Sequence, residues 1–141
     1  MADANTLHAE VLTPEGSVFE GDVERLSTRT AVGEIGILAN HVPVLARLMP
    51  TTLRLVKSGG DTEVFAQAEG WLQVFANEAL VLVGECVPPD QLDKGTLEER
   101  VVDADQRLDE AEEGTAAYHQ AERDKARAEA FIEVTEHSRD A

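Results

Sequence analysis

Pro88-Pro89-Asp90 divides this chain of 141 residues into two regimes. Neither proline can donate to a sheet ladder, and Asp90 can cap a helix that follows, so a sheet ends here and a helix can begin. Upstream, from Leu7 to about Val87, apolar residues alternate or cluster in short runs broken by Gly, Pro, Asn and Asp, the pattern of strands. Downstream, Leu97, Val101, Ala104, Leu108 and Ala111 recur at spacings of four and three, which draws an apolar seam down one helix face. The fold class that follows is α+β in two parts. Residues 1–87 form an N-terminal all-β sandwich or flattened barrel, and residues 88–141 a C-terminal antiparallel α-helical hairpin.

The alternation places strands near His8 to Leu12, Ser17 to Glu20, Val23 to Thr30, Gly36 to Leu38, Val44 to Leu48, Thr52 to Lys57, Glu63 to Ala68, Gly70 to Phe75 and Ala79 to Gly84. Ser58-Gly59-Gly60-Asp61 is a hairpin turn, since paired glycines tolerate the positive φ that tight hairpins demand, and Asn77-Glu78 makes a second. In the helical part, Gly114 is suited to end the first helix and Thr115 to cap the next, which runs from about Ala116 to His137. Its face of Tyr118, Ala121, Ala128, Phe131 and Ile132 is built largely from small residues, and Lys125 breaks the seam by snorkelling. Burying Leu97, Val101, Leu108 and Ile132 contributes about 1.5–3 kcal/mol each against the ordering of the whole hairpin, so this part should be marginally stable alone and able to detach.

Composition narrows the function. The net charge of −16, from 28 acidic against 12 basic residues, argues against nucleic-acid binding and against adhesion to an anionic lipid surface. Such acidity fits a solvated surface, a salt-adapted setting or basic partners. Cys86 is the single cysteine, so no intramolecular disulfide forms and a reducing compartment is expected. Met1-Ala2-Asp3-Ala4-Asn5 carries acid where a secretory leader carries base, and no run approaches the ~20 apolar residues of a spanning helix. A peripheral protein without direct membrane insertion is expected.

Catalytic patterns are missing from the sequence. His8, His41, His119 and His137 are scattered, with no zinc-type spacing and only Cys86 to add a thiolate. Gly33-Glu34-Ile35-Gly36 lacks the GxGxxG fingerprint and opens no helix, and no Walker-type run exists. No serine sits in a nucleophile elbow. No catalytic residue, metal ligand or cofactor is expected. Trp71 is read as a core plug in its strand or as an interface hot spot.

Gly33-Glu34-Ile35-Gly36-Ile37-Leu38-Ala39-Asn40-His41-Val42-Pro43 combines turn glycines, core-anchoring aliphatics and a polar His, and reads as a binding edge. With Val11-Leu12-Thr13-Pro14-Glu15-Gly16 and Val18-Phe19-Glu20-Gly21 upstream, and more loosely Glu69-Gly70-Trp71-Leu72-Gln73-Val74 and Leu80-Val81-Leu82-Val83, it resembles the epsilon subunit of bacterial F-type ATP synthases over nearly the whole chain. Glu69-Gly70 stands where that family usually has Gly-Gly, which implies a differently shaped turn.

The resemblance implies a non-catalytic rotor subunit of the central stalk that joins the gamma subunit to the polar loops of the c-ring, on the cytoplasmic face of the bacterial plasma membrane. It implies a c-ring interface at Glu34, Ile35, Asn40, His41 and Val42. It further implies a mobile hairpin that can reach the alpha and beta catalytic subunits and inhibit ATP hydrolysis, with Arg123, Lys125 and Arg127 as the basic cluster of the regulatory helix. Some relatives bind ATP in the hairpin. Here Asp93 and Arg127 match two of the expected groups, but Thr96 and Phe131 replace two arginines, so no useful nucleotide binding is expected. Residues 88–141 hold sixteen Asp or Glu against seven Lys or Arg, which weakens the inhibitory expectation. From the residues alone, a free-standing sandwich that binds a peptide or sugar and a small hydrolase remain the competing readings.

Overall fold

The computed structural model describes residues 5–139, with the side chains of Ser138 and Arg139 left aside, so the acidic amino-terminal stretch read above lies mostly outside the described residues. The chain comprises two compact units, Met1–Pro88 and Pro89–Ala141.

The first unit holds nine strands: β1 (Leu7–Thr13), β2 (Gly16–Thr30), β3 (Gly33–Leu38), β4 (Val44–Leu48), β5 (Thr51–Lys57), β6 (Thr62–Gln67), β7 (Gly70–Phe75), β8 (Glu78–Val83) and β9 (Cys86–Val87). Hydrogen bonds link them in the order β1-β8-β7-β4-β2-β5-β6-β9, with β3 also beside β2; because β2 pairs with β1 as well, the path closes on itself. The result is a two-layered, flattened barrel. One layer contains β1, β8, β7, β4 and the first half of β2; the other contains β3, β5, β6, β9 and the second half of β2. Period-two alternation turns Leu7, Ala9, Val11, Leu72, Val74, Val81, Leu53 and Leu55 into the space between the layers, where all are buried.

Two expectations are corrected. The strands expected near Ser17 to Glu20 and Val23 to Thr30 are one 15-residue strand. Gly21-Asp22 continues the ladder opposite Ala9 and His8, and a bulge at Val23/Arg25 bends the strand at the point where it leaves β1 for β3 and β5. The short β9 was not expected, because two residues before a Pro-Pro pair carry no period. The turns follow from backbone freedom. Gly59 and Gly60 both have φ of 94°. The β7–β8 turn consists of Ala76 and Asn77 at φ of 50° and 61°, one residue earlier than the Asn77-Glu78 expected from sequence.

The second unit is a short 3₁₀ turn at Pro89–Gln91 and two antiparallel helices, α1 (Lys94–Glu110) and α2 (Ala116–Arg139). Asp93 caps α1, accepting from the Thr96 amide at 3.2 Å and hydroxyl at 2.7 Å. Gly114 adopts φ of 85° between the helices, and the Thr115 hydroxyl accepts from the Tyr118 amide at 3.3 Å to cap α2. Leu97 and Ala104 of α1 and Ala121, Ala128 and Phe131 of α2 are buried, whereas Val101, Leu108, Tyr118 and Ile132 are half-buried. Val134 and Thr135, outside the expected seam, are buried too.

Candidate functional site

The binding edge begins at the tight β2–β3 hairpin. The Thr30 hydroxyl donates to the Gly33 carbonyl at 2.9 Å and accepts from the Val32 amide, which fixes the turn that carries Glu34. Glu34 is exposed and stands across from Arg29, while Ile35 is half-buried and packs on the core. This turn adjoins one end of β4 and β7, through Thr30 opposite Leu48 and Leu48 opposite Gly70.

Asn40, His41 and Val42 lie past the other end of β3. Asn40 takes φ of 61°, and its amide donates to Asn77 Oδ1 at 2.7 Å. The Asn77 side-chain amide donates in turn to the Thr6 carbonyl at 2.9 Å, so one asparagine ties this loop to the start of β1 and to the β7–β8 turn. The His41 amide donates to the Leu38 carbonyl, and its ring Nδ1–H donates to the Val42 carbonyl at 2.7 Å. Val42 itself is 69% exposed. Gly36 to Leu38 of β3 lie between the two groups and hold Glu34 about 13 Å, at strand rise, from the Leu38 end where the loop begins. The five residues of the expected ring interface therefore form two patches, Glu34 with Ile35 and Asn40 with His41 and Val42.

A third surface was half legible. Trp71 is 51% exposed on the outward face of β7, so the core-plug reading is corrected. Its neighbour Leu72 points inward and is fully buried, as alternation requires. Register places Trp71 beside Leu82, which stands beside Leu12, and places Gln73 between Leu80 and Leu45. Phe75, Leu45 and Leu82 are exposed along with it, so the outer face of this layer carries an apolar strip interrupted by Gln73. At its acidic margin His8 lies between Glu20 at 3.0 Å and Asp22 at 3.2 Å, and these hydrogen bonds, Glu20 first, raise its pKa.

Sequence reading missed Gln67. It is fully buried between the layers, accepts from the Thr28 hydroxyl at 2.6 Å and donates to the carbonyls of Met49 and Ala68. Its apolar neighbours gave no signal that a polar side chain would turn inward. Cys86 is buried, and desolvation pushes its thiol up to about 12, far from reactive thiolate.

The regulatory candidates on α2 are dispersed in their partners. Arg123 donates to Gln120 at 2.9 Å, and Lys125 crosses to Asp105 of α1 at 2.7 Å, which raises its pKa. Arg127 is half-buried and has an interaction partner of its own. Asp93 serves its cap, and the Thr96 hydroxyl and amide hold its carboxyl below the usual range. The Lys94–Glu136 and Lys125–Asp105 bridges set the helix register and put Arg127 about 15 Å along the hairpin from Asp93. The two vestigial nucleotide candidates are thus not brought together. Among the described residues no cluster of His, Cys, Asp and Glu could hold a metal ion, and no helix is long and apolar enough to cross a membrane.

Residues 6–89 match the family described as ATP synthase, Delta/Epsilon chain, beta-sandwich domain. The chain is 33% identical over 129 residues to the ATP synthase epsilon chain of Halalkalibacterium halodurans, covering 92% of this chain and 96% of the relative. It is 38% identical over 104 residues to that of Priestia megaterium, covering 74% and 77%. Among solved structures, a chain in the cryo-EM structure of the Euglena gracilis mitochondrial ATP synthase, OSCP/F1/c-ring, superposes with a TM-score of 0.75 at 21% identity, covering 93% of this chain and 81% of that one, a likeness of fold. Matched along almost its whole length, with the turns and strands of the sandwich in place, the chain belongs to the ATP synthase epsilon chain family.

Proposed function

We propose that this chain is a non-catalytic subunit of the central stalk, the rotor, of an F-type ATP synthase, and that its sandwich couples the gamma subunit to the c-ring. The observation that carries this reading is the outward apolar strip of Trp71, Leu82, Leu45 and Phe75 on an otherwise strongly acidic chain. Its aromatic content is that of an interface core, and gamma is assigned to it. The Glu34 turn and the Asn40–Val42 loop are assigned to the polar loops of the c-ring. Both are anchored on the core or through Asn77, which suits surfaces that must transmit torque without yielding. The site of action is the cytoplasmic face of a bacterial plasma membrane, reached through the complex. The hairpin supplies the regulatory element, with Arg123, Lys125 and Arg127 directed to the alpha and beta subunits when it inhibits hydrolysis.

The test is proton-driven ATP synthesis by cognate membranes depleted of epsilon, to which the full chain, its Trp71→Ala variant or residues 1–88 are added. Full chain and residues 1–88 should both restore coupling. Trp71→Ala should need about thirtyfold more protein, as a hot spot of about 2 kcal/mol requires. Failure of the full chain would reopen the rotor role, and hydrolysis rates equal with and without residues 89–141 would remove the inhibitory one.

A further inference from the structure

We infer that the outward face of β3, β2 and β5 is a docking surface for a short acidic segment of a partner protein. Three of the five basic residues of the sandwich unit, Arg25, Arg29 and Arg54, project from this one face, and all are exposed. Arg25 and Arg29 lie on β2. Arg54 on β5 stands beside Ser27, between them, so each arginine is roughly 8 Å from the next by strand geometry. Among the described residues none of the three forms an ion pair. Glu34 stands opposite Arg29 in the ladder without bridging to it. Lys57 of the same sheet is by contrast paired with Glu63 at 3.0 Å.

The patch is also pre-oriented. Arg25 Nε donates to the Ser27 hydroxyl at 3.0 Å, and its guanidinium lies over Gly36, where a Cβ would come within 3.1 Å of Nη2. A glycine at this register position gives the guanidinium a flat bed and leaves its remaining N–H groups free for a carboxylate fork.

The rest of the chain selects the class of partner. At a net charge of −16, an extended polyanion or an anionic membrane would meet repulsion over most of the molecule, whereas a few carboxylates on a short segment meet three arginines against the one carboxylate of Glu34. Their spacing suits acidic side chains at i and i+4 of a helix or i and i+2 of a strand. This inference does not depend on the rotor reading.

The experiment titrates a short fluorescein-labelled oligoglutamate peptide with the full chain at low ionic strength and follows anisotropy. Saturable binding should weaken about tenfold in the Arg25→Ala/Arg29→Ala/Arg54→Ala variant, and by several-fold in Gly36→Ala, which leaves every charge in place and only displaces the Arg25 guanidinium. Arg47→Ala, in the other layer, should bind like the parent chain. Circular dichroism establishes that each variant is folded. No binding by the parent chain, equal binding by the triple variant, or equal weakening by Arg47→Ala would overturn the proposal. So would arginine-dependent binding to phosphatidylglycerol vesicles without binding to the peptide, which would assign the face to a membrane.

Discussion

Between the layers of the sandwich, Leu26, Ile37, Leu48, Leu53, Leu55 and Leu72 are completely buried, whereas three of the buried side chains of the hairpin are alanines. The leucines and isoleucine each contribute about 1.5–3 kcal/mol by burial, an alanine much less. The hairpin compensates with bridges between its helices: Lys94 to Glu136 at 3.1 Å, Arg107 to Asp124 at 2.9 Å and Lys125 to Asp105 at 2.7 Å. All are partly exposed and therefore weak and screened by salt. The contrast teaches that one chain carries a rigid part fixed by apolar packing and a loosely held part whose cohesion follows ionic strength.

The largest break in that contrast is expected at Gly70. A Cβ there would fall on the Leu82 carbonyl oxygen and lie 2.8 Å from Val83 Cα, backbone that cannot swing aside. Gly70→Ala should cost the sandwich about 3 kcal/mol or more, seen as lost expression or an early urea midpoint, while the helical circular dichroism signal persists. Loss of both signals together would show that the two parts are not independently held. Next, Gln67→Leu leaves the Thr28 hydroxyl and the Met49 and Ala68 carbonyls without their partner and should lower sandwich stability by about 2 kcal/mol in urea.

The pH response sharpens the contrast from the ionic side of the sandwich. Glu20 and Asp22 raise the His8 pKa, so folding favours its protonated form. The extra stability is full below the ordinary value of 6.5 and is lost as pH rises through the raised one. Exposure keeps it well below about 1 kcal/mol, and His8→Asn should flatten this part of the profile of urea midpoint against pH. Smallest of all, Lys125→Met should lower the helical melting temperature in dilute buffer by a margin that disappears in high salt, with the sandwich unaffected. A margin that survives high salt would mean that packing of the lysine stem, not its charge, joins the helices.

The sequence announced features that depend on a few neighbouring residues. Gly59-Gly60 marked a hairpin, Gly114 and Thr115 the link between helices, and alternation the buried face of nearly every strand. What depends on distant residues stayed hidden. Gly21 resembled a strand break, yet β1 supplies the partner that carries β2 through it. Trp71 was settled as outward only by the phase of β7 against Leu72 and Val74. Glu34 and His41, seven positions apart, looked like one edge because nothing local shows that Ile35 to Leu38 run as extended strand between them. The Gly70 constraint was read as a question of turn shape, whereas it is one of backbone approach across the β7–β8 ladder.

The fifteen residues of β2 also define a load path. Since the strand belongs to both layers, a force on one reaches the other along covalent bonds and not only across the greasy gap between them. Sliding the layers past one another along β2 means shearing it lengthwise against β1, β3 and β5, when many backbone hydrogen bonds resist at once instead of yielding one after another. A body twisted at one surface and held at another is stiffest when a single unbroken rib runs through both.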